Sequence, residues 1–186
     1  MISAIAQAVA NLLASGPTLT GTEQIDFGYP GQITHEMKPC LHLYHYEIQS
    51  AQSPYPQPYR GSGLGRAEDF RVDEGDRLQP IWFNIVFALM ACDHTALGEQ
   101  TLLSESLSLL LQSPHLPQRF LSPTLRHYPA LPLHVAPITL MAQPDFWLTL
   151  GIPLRPALQI SVTAPFDVPL GERLGVNELP LPHAPP

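Results

Sequence analysis

The stretch that decides the fold is Pro80 to Cys92, PIWFNIVFALMAC. Asn84 is its one polar break, and Ile81, Phe83, Ile85, Phe87 and Leu89 alternate with Trp82, Val86, Ala88 and Met90. Both sets of side chains are therefore apolar. A strand with two apolar faces is covered on both sides, so this segment is expected at the centre of a sheet.

Working outward, Asp93 or Thr95 can cap a helix running to about Gln112. Leu103, Leu107, Leu110 and Leu111 form its expected buried stripe, Glu105, Ser108 and Gln112 face water, and Ser113-Pro114 ends it. Upstream, Cys40 to Ser50 reads CLHLYHYEIQS, and its aromatic and branched residues make Leu41 to Gln49 a strand. At the start of the chain Ile2, Ile5, Val9, Leu12 and Leu13 recur at helical spacing, and Gly16-Pro17 supplies a stop. That stretch lacks a positively charged leading region, so it is read as an amphipathic helix over residues 2 to 15 and not as a signal peptide. A short strand is expected within Gln24 to Tyr29, another over Leu131 to Met141, a short helix over Asp145 to Leu150, and a last strand over Arg155 to Phe166.

Residues 50 to 79 break the pattern. Prolines, clustered glycines and charges repeat at neither strand nor helix period, and a structureless loop of this length inside a compact domain is usually functional or disordered. The Gly61-Ser62-Gly63-Leu64-Gly65 cluster lacks the lysine-hydroxyl ending and the strand-to-helix setting of a phosphate loop. The last residues, LPLPHAPP, are polyproline-like and cannot pack a core.

Bulk composition excludes several function classes. A chain of 186 residues can form one domain with a substantial core. Nine basic against sixteen acidic residues leave no footprint for a nucleic-acid backbone, and no apolar run is long enough for a membrane span. Charged residues at 13%, well below the usual fraction, point to surface reserved for self-association or partners.

The cysteine, histidines and carboxyl of CLHLYHYEIQS invite a metal or nucleophilic reading. In a strand, side chains alternate faces, so His42 lies with Cys40, Tyr44 and Tyr46, and His45 with Leu41, Leu43 and Glu47. The two histidines point apart. Two cysteines, Cys40 and Cys92, are too few for a zinc site built on paired thiolates and are expected to pack as small hydrophobes. No Gly-x-Ser-x-Gly elbow occurs, and Cys92-Asp93-His94 is better read as a buried cysteine beside a helix cap than as a nucleophile. The pairs Glu68-Asp69 and Asp73-Glu74 sit in the long loop, where a rigid, desolvated acid/base setting is not expected. The residues predict no catalytic, cofactor or metal site, and an α+β single domain serving as an assembly component; the alternative is a small-ligand or metal-binding module using the histidines.

Taken in order, the helix from Met1, LHLYHYEIQ, PIWFNIVFALMACD, EQTLLSESLSLLLQSPHLP and FWLTLGIPLRPALQISVTAPF resemble one family. It is the cap, or tail-terminator, family of extracellular contractile injection systems, phage-tail-like particles of the virulence-cassette and antifeeding-prophage type. Where the family's first strand runs into an arginine-bearing turn, this chain has Ser50 to Arg60, with Arg60 the arginine at that place. Composition makes 169–186 a proline-rich tail, and the resemblance, which covers about residues 1–168, implies a mixed β-sheet flanked by helices and a terminator domain that holds the long loop 50–79. It further implies a non-enzymatic six-membered ring that closes the baseplate-distal end of the inner tube and sheath, with no cofactor. The expected partners are this chain itself, the tube protein and the sheath protein, in a particle assembled in the bacterial cytoplasm. Arg60, Arg66, Arg71 and Arg77 are the candidate tube and sheath contacts.

Overall fold

The computed structural model describes residues 1–30, 39–55, 80–128, 130–138 and 144–166. Three α-helices and a five-stranded sheet make up its regular part: α1 Ile2–Leu13, β1 Ile25–Asp26, β2 Cys40–Ala51, β3 Ile81–Cys92, α2 Ala96–Leu111, β4 Leu133–Pro137, α3 Pro144–Leu150 and β5 Ala157–Phe166. The strand order is β1-β2-β3-β5-β4. β1 runs parallel to β2 and every other pairing is antiparallel, so the sheet is mixed. The α+β expectation holds.

β3 occupies the middle, as its two apolar faces require, and Ile85 to Cys92 are buried without a break. On one face Ile85, Phe87, Leu89 and Ala91 join Leu41, Leu43, Ile160 and Val162 in the main core with α1 and α2. On the other, Ala88 and Met90 pack with Trp147 of α3 and Ala157. Phe87 is fully buried, a burial that contributes about 1.5–3 kcal/mol.

α1 buries Ile5, Val9, Leu12 and Leu13, as its spacing predicts. α2 uses Thr95 of its two candidate caps, Asp93 and Thr95: that residue is extended and its hydroxyl accepts from the Gly98 N–H at 3.0 Å. Its stripe differs from expectation. Leu102, Leu103, Ser106 and Leu110 are buried, whereas Leu111 is exposed. Leucines stand on several sides of this helix, and packing on α1 and β3 selects among them. α3 ends at Gly151, whose φ of +63° places it in the left-handed region that glycine adopts without strain.

β2 carries a second departure. The β2–β3 register shifts between His45 and Glu47, leaving Tyr46 in a bulge. Glu47 therefore pairs with Val86, on the sheet face of Ala88 and Met90, and not on the face of Leu41 and Leu43 where strict alternation had put it.

Candidate functional site

The four candidate contacts, Arg60, Arg66, Arg71 and Arg77, lie in 56–79, outside the described residues, as do the two acidic pairs and the tail from 169. The base of that loop is described. The Tyr55 hydroxyl donates to the Ala130 carbonyl and accepts from the Ala130 N–H, the latter at 2.9 Å. The Tyr55 ring meets Trp82 edge-on at 5.7 Å, and Trp82 meets Tyr128 at 6.0 Å. The chain thus reaches residue 55 clamped to β3 and to the segment leading into β4.

The sheet edges are unequal. β1 covers β2 only at Leu41 and His42. From Leu43 to Ala51 no further strand among the described residues pairs with that side of β2, and Ile48, Gln49 and Ser50 are exposed. The other edge, β4, is only five residues long and ends on Pro137. Short strands and proline blunt an edge, whereas a long uncovered one is a template for another chain. Among the described residues, β2 is therefore the long edge without a strand partner beyond His42.

Where β1, β2 and β3 meet, the structure gathers a thiol and imidazole cluster. Cys40 and Cys92 are direct partners across the β2–β3 ladder, and His42, two residues along, pairs with Met90. The His42 Nε2 atom lies 3.9 Å from Cys40 Sγ, and its Nδ1 lies 3.5 Å from Asp26 Oδ2 of β1. That second approach is an ion-pair distance without hydrogen-bond alignment, so Nδ1 is buried with no hydrogen bond. Arg155 donates from Nη1 to Cys92 Sγ and from Nη2 to Glu99 Oε1, each at 3.2 Å.

These neighbours act unequally on the two sulfurs. The hydrogen bond from the Cys40 thiol, with His42 and Arg155 adding to it against burial, lowers Cys92 to about 4. The same hydrogen bond and burial push Cys40 up. The surroundings thus favour charge on Cys92 over Cys40.

Sequence reasoning separated His42 from His45 correctly, since the His45 ring packs on Phe87 of the other face at 5.5 Å. It missed Cys92 as the neighbour of Cys40, because cross-strand register is not a local property. His94, the chain neighbour of Cys92, is exposed and outside the cluster. No helix among the described residues is long and apolar enough to cross a membrane.

Comparison with known proteins follows the fold. The family model described as the Pvc16 N-terminal domain matches residues 4–173. A solved structure of a PVC sheath/tube terminator, from an extracellular contractile injection system in its extended state, superposes with a TM-score of 0.62 at 19% identity. The match covers 90% of this chain and 57% of that one. The tube-terminating cap of the anti-feeding prophage gives a TM-score of 0.55 at 18% identity, covering 88% of this chain and 54% of that one. The chain therefore spans little more than half the length of either protein. A search of curated protein sequences found no match.

Proposed function

This chain belongs to the Pvc16 N-terminal domain family, and from that we propose that it is a structural cap closing the baseplate-distal end of the tube and sheath of a contractile injection system. It stops polymerisation there and holds the last sheath layer to the tube. The observation that carries the reading is the long β2 edge, without a strand partner beyond His42 among the described residues, in a chain whose fold is similar to that of a sheath/tube terminator. A last layer linked by strand exchange leaves strand edges unsatisfied, and a cap can cover them by adding a strand.

A tube of six-fold symmetry is closed by six copies joined through heterologous, ring-closing contacts. Arg60, Arg66, Arg71 and Arg77 serve in this reading as loop contacts to acidic tube or sheath surfaces, and the 169–186 tail as a second reach toward the sheath. Both neighbours are capping proteins, which fits a role without catalysis. In this reading assembly takes place in the bacterial cytoplasm, so the chain should co-sediment with particles in a cleared cell lysate.

Native mass spectrometry of the purified chain at rising concentration tests the ring: the reading predicts a hexamer, and a monomer or dimer at every concentration contradicts it. Alanine at all four loop arginines is expected to weaken binding to assembled tube and sheath while circular dichroism stays unchanged. Undiminished binding removes those residues from the interface.

A further inference from the structure

We infer that Cys40, His42 and Cys92 bind one zinc-class ion through two sulfurs and the Nε2 of the imidazole, at the corner where β1, β2 and β3 meet. One donor atom from each of the three lies within 4.8 Å of the others. Tetrahedral zinc, with Zn–S about 2.3 Å and Zn–N about 2.0–2.1 Å, holds such atoms roughly 3.5–3.8 Å apart. The 3.9 Å between His42 Nε2 and Cys40 Sγ is already close to that, and small side-chain rotations complete the approach. Two thiolates and an imidazole select soft ions such as zinc over magnesium or calcium.

The surroundings suit the same ion. Nε2 is the ring nitrogen that faces Cys40 Sγ, and the Asp26 carboxylate, 3.5 Å from Nδ1 on the far side of the ring, is placed to accept from that nitrogen once the ring turns onto an ion. The Arg155 guanidinium that donates to Cys92 Sγ is itself paired with Glu99, so its charge is offset at the metal position. His42 is 3% and Cys92 6% exposed, while Cys40 is only half-buried and leaves an approach for the ion. Binding needs both cysteines as thiolates, and any thiol proton they carry is released to solvent. Because β1 is held to β2 at only two register pairs, the ion and its Asp26 contact would fasten that short strand to the sheet. The sequence predicts no metal site because two cysteines are few and the two histidines part; cross-strand register supplies what it lacks by setting Cys92 of β3 against Cys40.

The test uses the full chain, reduced and metal-free, titrated with cobalt(II) and then zinc(II). Saturation at one cobalt per chain is expected, with thiolate-to-metal charge-transfer absorption and tetrahedral visible bands that zinc abolishes, and zinc should raise the melting temperature. C92S and H42Q should lose the spectrum, H45Q should keep it, and D26N should weaken affinity by about 10-fold or more. Should C92S not fold, H42Q and D26N decide the matter. Absence of stoichiometric binding, an unchanged spectrum in H42Q, or a Cys40–Cys92 disulfide as the native form, with no metal uptake after reduction, overturns the proposal.

Discussion

Arg155 donates to Cys92 Sγ across 3.2 Å, tying the segment before β5 to the end of the central strand. The same guanidinium reaches Glu99 in the first turn of α2, so one side chain joins the segment before β5 to a strand and a helix. Both partners of the ion pair are less than a quarter exposed, which makes it stronger than a surface pair, though still partly screened.

R155M removes both contacts and retains much of the side-chain volume. In the metal-free, reduced protein it should cost about 1 kcal/mol in urea unfolding. In a double-mutant cycle with E99Q the losses should be less than additive, because each variant breaks the same pair. Full additivity would show the pair to be idle.

The loop base offers a cleaner probe. Y55F keeps the ring on Trp82 and deletes the hydroxyl that bridges both backbone groups of Ala130. A loss of about 1–3 kcal/mol is expected, since two part-buried backbone groups lose their partner. Limited proteolysis should cut faster near residue 56, and an unchanged rate would mean the clamp does not hold the loop entry.

How much of this was legible in the chain depends on the range of the interaction. Pro80 to Cys92 declared a central strand because alternation is local and both faces were apolar. Asp93 and Thr95 both announced a helix start because capping involves residues about three apart, and the structure chose Thr95. α2 gave a weaker signal: leucines at 102, 103, 107, 109, 110 and 111 leave several possible stripes, and packing settled on one that excludes Leu111. The bulge at Tyr46 carries no glycine or proline to announce it, so Glu47 was placed on the wrong face. The thiol cluster needed register between distant segments, and the sequence prints no register. For the loop arginines, the sequence supplied charge and position only.

Ile48 tests the open edge. It is 48% exposed on β2 beyond the reach of β1, so I48K should leave the melting temperature within about 1–2 °C of the parent. A lysine on an edge discourages strand addition. The variant is expected to fold, yet to bind sheath at least tenfold more weakly in a pull-down with assembled particles. Undiminished binding would move the interface away from β2.

The central claim is that this chain terminates the particle, and the length distribution of particles in a deletion strain tests it most directly. Negative-stain microscopy should show tubes of variable, overgrown length and sheaths that fray or contract at the end opposite the baseplate, with both defects reversed by the wild-type chain. Uniform tube lengths with intact sheaths in its absence would contradict the account.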